Sequence, residues 1–193
     1  MLILKPYHPW MTLNETDILA KFLNNCDRYM EFGTGGSTLF AANIVKSSVT
    51  TVDSSPGWID SIAEQAKKCQ ISPTFIYANI GPVKNLGYPV DLTSKNQWTK
   101  YSTAPWNLAS VNETDLYLID GRFRVACFVQ CITHCRLDSV IAIHDFAARP
   151  QYHIVREISR EIASVDNLSF FVPLQTNSDV LELIYDRYKF DPN

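Results

Sequence analysis

The run Glu31-Phe32-Gly33-Thr34-Gly35-Gly36-Ser37-Thr38 constrains the fold more than any other segment, because its glycines fall between a strand pattern at 27–33 and a helix pattern at 37–46. Glycine at such a turn lets backbone amides approach a ligand that a side chain would hold off. The next strand pattern, 48–53, ends on Asp53, a carboxylate placed to accept hydrogen bonds from ribose hydroxyls. Together the two features fit a nucleotide-like ligand. The strand-to-helix setting separates them from a chance cluster of glycines.

Strand and helix go on alternating along the chain. Ser55-Pro56 opens a helix over 56–69, since serine caps well and proline is tolerated at the first helical position. Strand 74–78 follows, then strands 115–120 and 139–145 on either side of a helix at 122–135, and a helix at 151–164. This alternation predicts a parallel sheet covered by helices on both faces. Two strand-like runs, 168–172 and 180–188, joined by Pro173 to Asp179, predict an antiparallel pair at the end. Ahead of the first strand, Thr12 and Glu15 form a capping-box pattern for a helix that closes near Asn24-Asn25. Residues 80–112, rich in Gly, Pro, Tyr and Trp, break the rhythm, and so long a stretch reads as a lid or binding loop.

With 193 residues and a 46% hydrophobic fraction, the chain suits one domain spanning 1–193 with a large core. A net charge of -3 and no basic run argue against a nucleic-acid partner. Met1 to Leu4 is too short for a signal sequence, and no segment approaches the roughly 18 apolar residues of a membrane span. Five cysteines without a disulfide-scaffold spacing fit a reducing compartment, so the expected location is cytoplasmic, with no membrane partner.

The glycine turn with Glu31 ahead of it, Asp53 after the next strand, the Asp115 to Gly121 strand end and the antiparallel tail resemble the class I S-adenosylmethionine-dependent methyltransferases over almost the whole chain. The resemblance implies an α/β, three-layer Rossmann-like methyltransferase fold: a mostly parallel seven-stranded sheet, order 3-2-1-4-5-7-6, with an antiparallel last strand. It implies S-adenosyl-L-methionine as cofactor, held by Glu31, Gly33, Thr34, Gly35, Gly36, Ser37, Thr38, Asp53 and Asp120, with Asn79 and Ile80 at the adenine. Ser37 and Thr38 at the helix start would donate to the cofactor carboxylate, helped by the positive helix end. NAD binding competes for the same glycines, but position 38 is Thr where the dinucleotide fingerprint has its third glycine. No Gly-Lys-Ser/Thr follows, which excludes a P-loop.

Asp120 and Asp145 end the fourth and fifth strand patterns, at the edge where open α/β sheets bind ligands, and His144 is a candidate base. These three are the candidate catalytic residues. Strict alternation through strand 139–145 would put His144 and Asp145 on opposite faces, so that only one enters the site. Metal-dependent O-methyltransferases place metal-binding acids at similar strand ends, yet Phe146 stands where that subgroup has an amide ligand and Phe123 where it has a lysine. No divalent metal is therefore expected. Arg122 and Arg124 could bind an acidic substrate or pair with local carboxylates, and Arg149 to His153 could wall the acceptor. Cys127, Cys131 and Cys135 share a helical face with His134 beside them, and read as thiols packed on the sheet rather than as metal ligands. The expected activity is methyl transfer to a small-molecule or sugar-like acceptor. The alternatives are a methyltransferase-like binding module without turnover and an NAD-dependent oxidoreductase. A homo-oligomer is left open.

Overall fold

Strand β4, Leu116–Ile119, is apolar at every position and buried at every position, as a strand covered on both faces must be. It lies in the middle of a seven-stranded sheet of order β3-β2-β1-β4-β5-β7-β6 in the computed structural model, which describes residues 8–193. The expectation drawn from Met1 to Leu4 lies outside those residues. The remaining strands are β1 Arg28–Phe32, β2 Ser48–Asp53, β3 Thr74–Tyr77, β5 Val140–Ile143, β6 Ser159–Val165 and β7 Leu168–Pro173. The first five run parallel, and β7 is antiparallel to both β5 and β6.

The period of two sorts side chains between two cores. Met30, Phe32, Tyr117, Ile119, Ile141 and Ile143 point to one face, where α5 (Arg124–His134) and α6 (Ser178–Tyr188) cover them. Tyr29, Leu116, Leu118 and Ala142 point to the other, under α1 (Leu13–Leu23) and the end of α2 (Gly36–Ala41). Each such side chain contributes about 1.5–3 kcal/mol on full burial, so register is strongly fixed. α1 opens on Thr12, and the capping box is complete: the Thr12 hydroxyl accepts from the Glu15 amide, and the Glu15 carboxylate accepts from the Thr12 amide. α3, Pro56–Ala66, has its proline in the first turn as expected. No helix among the described residues is long and apolar enough to cross a membrane.

Two expected elements change identity. The helix expected over 151–164 is a 3-10 segment, Pro150–Glu157, followed by strand β6. As an edge strand β6 pairs on one side only, and its Ser-Arg-Glu-Ile-Ala-Ser-Val sequence lacks the apolar alternation that would reveal it. The strand expected over 180–188 is α6, capped by Asn177, whose side chain accepts from the Asp179 amide. Leu181, Ile184, Tyr185 and Tyr188 pack on the core at i, i+3, i+4 and i+7, a helical spacing with Glu182, Asp186 and Arg187 between them. The antiparallel pair is therefore β6 with β7, a few residues earlier than expected. α2 also stops at Ala41 rather than near 46, where the Asn43 side chain bonds Leu39 O at 2.7 Å.

Residues 80–112 pack over the carboxyl edge of the sheet as short helical turns, including α4, Lys100–Thr103. Trp98, Tyr101 and Val111 are buried from this segment. Tyr101 is wedged where β1 and β4 end. There Gly33, at φ +106, lies so close to Gly121 that a Cβ on it would meet Gly121 N at 2.7 Å. A Cβ on Gly121 would overlap the Tyr101 hydroxyl, and Tyr101 is buried with nowhere to move. Gly121→Ala should cost about 1–3 kcal/mol in denaturant unfolding, in the range for overpacking. Adding Tyr101→Phe should recover part of the loss. An unchanged midpoint for the single variant would show that the contact is not tight.

Candidate functional site

The glycine turn is anchored from below and from both sides. Glu31, fully buried, accepts hydrogen bonds from the Thr38 hydroxyl and from Tyr29 Oη, the latter at 2.7 Å. Thr38 Oγ1 in turn accepts from Gly35 N at 2.8 Å, so the third-glycine position of a dinucleotide fingerprint is here a buried brace. Asp53 fastens the turn to the end of β2: Oδ2 accepts from Thr34 N at 3.1 Å and Oδ1 from Ser55 N at 2.9 Å. Thr34 and Thr51 hydroxyls meet at 2.8 Å, and Trp58 Nε1 donates to Thr34 O at 2.6 Å. Gly36 packs against the His8 backbone, whereas nothing among the described residues lies within 4 Å of where a Cβ on Gly35 would be. Gly35 is thus the glycine that opens onto free space.

The other cofactor candidates divide by burial. Ser37 and Thr34 are nearly covered, Ile80 belongs to the core, and Asn79 is exposed with its side-chain oxygen accepting from Gly81 N at 3.0 Å. Glu31, Thr38 and Ile80 present no surface to a ligand and act on the shape of the turn and its neighbours.

A second cluster forms where β4 and β5 end. Asp120, His144 and Asp145 offer ligand atoms that all lie within 4.8 Å of one another. The expected opposition of His144 and Asp145 fails because β5 stops at Ile143 and Asp145 turns back in the left-handed region, φ +59, ending the alternation. His144 Nδ1 is 3.0 Å from Asp120 Oδ1, and Nε2 is 3.4 Å from Oε2 of Glu15, a buried carboxylate on the first turn of α1. Glu15 also accepts from Asn167 N at 2.8 Å, which fixes it behind the imidazole. Burial pulls the His144 pKa down, but the hydrogen bond and charge of Asp120, with Asp145 and Glu15, outweigh it and leave it raised. A groove of about 330 Å³ lined by Trp10, Met11, Thr12, Glu15, His144 and Asn167 opens beside it. Glu15 escaped the sequence reading, where its capping role accounted for it. Nothing in the sequence signals its second contact.

Arg124 runs through the centre of this cluster with its side chain 4% exposed. Nε donates to Gly121 O, and the two terminal nitrogens reach His144 O, Asp120 O, Asp120 Oδ1 and Asp145 Oδ2, the last two at 3.2 and 3.1 Å. Phe123, in the left-handed region at φ +54 just before α5, aims Arg124 back over the strand ends. Phe123 and Phe146 themselves are core residues: Phe123 packs between Trp98 and Tyr101, and Phe146 against Phe171 and His153. Cys127 and Cys131 are buried, and burial pushes all three thiols of that helix up, as packed sulfurs would be.

No protein-family model matches the sequence, and no curated protein is similar to it by sequence. Solved structures do match. A methyltransferase-like protein from Silicibacter pomeroyi superposes with a TM-score of 0.88 at 24% identity, over 96% of this chain and 98% of that one. An O-methyltransferase from Bacillus cereus in complex with SAH gives 0.55 at 13% identity, over 88% and 84%. An RNA methyltransferase from Salinibacter ruber in complex with S-adenosyl-L-homocysteine gives 0.52 at 14%, over 90% and 97%. The chain has the methyltransferase fold. Asp120, His144 and Asp145 have ligand atoms close enough together for a metal ion, and each of them is engaged within the chain itself. The Arg124 guanidinium already bridges Asp120 and Asp145, and both imidazole nitrogens of His144 face carboxylates.

Two predictions follow from these contacts. Chelation should leave the melting temperature unchanged, whereas Arg124→Met should cost about 3–5 kcal/mol, because it strands two carboxylates; a chelator-sensitive wild type would contradict this. Burial, opposed by the hydrogen bonds from Thr38, Tyr29 and Ser37, lifts the Glu31 carboxyl to about 7. The folded state therefore keeps a proton that the unfolded chain releases near 4.5, and the stability difference is lost as pH rises from there through about 7. The loss should be of order 3 kcal/mol at 1.36 kcal/mol per unit. Glu31→Gln should remove that slope in urea titrations at stepped pH; parallel curves for both proteins would rule it out.

Proposed function

We propose that the protein transfers a methyl group from S-adenosyl-L-methionine to a small-molecule, sugar-like acceptor. The observation that carries this reading is the open space over Gly35 beside an Asp53 already fastened to the same turn. Both stand at the carboxyl edge of a sheet whose β1 and β4 neighbours mark the switch in strand order, the usual ligand crevice of open α/β sheets. The amide of Gly36 would take the cofactor's carboxylate, since that of Gly35 is spent on Thr38, with Asp53 on the ribose hydroxyls and Asn79 at the adenine edge. The bound cofactor supplies an electrophilic methyl on a sulfonium. The SAH-bound proteins of the same fold support that choice of ligand.

The chain's own contribution is alignment and removal of the acceptor proton. His144 is the base: Nε2, whose 3.4 Å approach to Glu15 is the longer of its two contacts, takes the acceptor proton as that contact gives way, while Asp120 at Nδ1 stabilises the imidazolium. Asp145 holds Arg124 rather than the acceptor. A binding module without turnover is the second reading, favoured by that saturation of Asp120 and Asp145. The NAD reading is weakened by Thr38, whose hydroxyl is spent on Glu31 and Gly35. Five free cysteines fit the cytoplasm.

Isothermal titration should show saturable binding of both S-adenosylmethionine and S-adenosylhomocysteine. Asp53→Ala should weaken it at least tenfold with an unchanged far-UV spectrum. No heat from either ligand at millimolar concentration would defeat the proposal.

A further inference from the structure

Three arginines stand just beyond the carboxyl ends of β4 and β5, and their hydrogen-bonding capacity is unequally used. Arg124 is saturated: backbone carbonyls and the Asp120 and Asp145 carboxylates take all three of its nitrogens. Arg122, 7% exposed, has one long contact, Nη1 to Pro192 O at 3.5 Å, and its buried Nε has no partner among the described residues. Arg149, partly exposed, is 3.6 Å from Asp145, on an oxygen already 3.1 Å from Arg124, and otherwise faces Tyr88 and the Tyr152 ring. A buried guanidinium with unfilled donors is costly and calls for an explanation, since most buried polar groups are paired.

Two further groups mark the same place. Tyr152 is fully buried, its ring 5.7 Å from the Arg149 guanidinium and 5.8 Å from that of Arg124, and its hydroxyl has no partner among the described residues. Tyr88, from the covering segment, lays its ring 4.1 Å from the Arg122 guanidinium and turns its hydroxyl toward Arg149, spanning the gap between the two. The segment carrying it turns through left-handed residues, Gly81 at φ +90, Leu86 at +62 and Gly87 at +73, and at Gly87 it comes close enough to Ser54 and Arg122 that a Cβ would lie 3.2 and 3.7 Å from their side chains. The charges facing the gap are Arg122, Arg124 and Arg149 against Asp120 and Asp145, with His144 and Glu15 behind Asp120 and the two Asp53 oxygens held by amides. Three guanidinium groups thus face three carboxylates, Arg122 acting on Asp53 and Arg149 on Asp145, and what marks the place is unfilled hydrogen-bonding capacity rather than a surplus of charge.

We propose that this gap is an anion subsite in which Arg122 and Arg149 hold a carboxylate or phosphate group of the methyl acceptor, with Tyr88 lifting from Arg122 and Tyr152 donating its hydroxyl. The word acceptor rests on the methyl-transfer reading; the binding of an anion does not. Planar guanidinium forks match carboxylate and phosphate oxygens two at a time, and such charge-assisted bonds are roughly twice as strong as neutral ones.

The test is titration of wild type, Arg122→Gln and Arg149→Gln with inorganic phosphate and, separately, with benzoate, at constant ionic strength in chloride, followed by amide chemical shifts. Saturable binding of one probe in wild type, weakened about tenfold or more in Arg149→Gln, supports the subsite, and the probe that binds better tells phosphate from carboxylate. Absence of saturable binding of both probes overturns it, as does binding that Arg149→Gln leaves unchanged. Should the buried Arg122→Gln fail to fold by far-UV spectroscopy, the partly exposed Arg149 variant decides alone. A parallel titration with S-adenosylhomocysteine separates the two readings. Anion binding without cofactor binding removes the methyl-transfer function and keeps the subsite; cofactor binding without anion binding removes only the subsite.

Discussion

One desolvated guanidinium, Arg124, holds the carboxyl ends of β4 and β5 in register with each other. Its nitrogens reach the backbone of Asp120, Gly121 and His144 and the side chains of Asp120 and Asp145. Burying a charge costs several kcal/mol, and that cost is offset only where geometry and extra hydrogen bonds are complete, as they are here. Asp120 is consequently held in one place with an oxygen toward His144. The imidazole inherits its position from an ion pair it does not belong to.

That arrangement requires two backbone departures. Phe123 and Asp145 both adopt left-handed conformations without being glycine, a state that costs of order 1 kcal/mol for an ordinary residue and persists only where the surroundings enforce it. Phe123 is enforced by its burial between Trp98 and Tyr101, and Asp145 by Arg124. The covering segment therefore contributes to the site from a distance: by packing Phe123 it sets the direction in which Arg124 leaves the strand end.

The architecture was legible where the chain has to bury itself on both sides. β1, β2, β4 and β5, the glycine turn and the α1 capping box show their character in local pattern, because position along the element and burial coincide. The order of the strands came through resemblance and agrees with the sheet. β6 and α6 differ from the expected elements because an edge strand needs few apolar residues and because the Val, Leu, Ile and Tyr residues of 180–188 resemble a strand although their spacing, broken by Glu182, Asp186 and Arg187, is helical. In the site, Asp120 and Asp145 could be placed at strand ends, but their union with His144 depends on a turn that no alternation rule describes. The partnership of Glu15 with His144 bridges 129 positions, and no local signal carries such a contact.

The glycine turn illustrates how one motif mixes two kinds of constraint. Gly33 is required by its positive φ and by the approach of Gly121, which is a demand of sheet packing beneath Tyr101. Thr38 and Glu31 brace the turn from inside the fold. Of the three glycines in this turn, Gly35 alone has open space beside it among the described residues, so packing does not account for it. A glycine-rich sequence can therefore arise almost entirely from packing. What sets this one apart is the combination of an open glycine with a carboxylate, Asp53, whose two backbone bonds hold it beside the turn while leaving lone pairs on both oxygens. Those remaining lone pairs, and the unfilled guanidinium donors of Arg122 and Arg149 farther along the same edge, are complementary to a ligand that offers hydroxyls at one end and negative charge at the other.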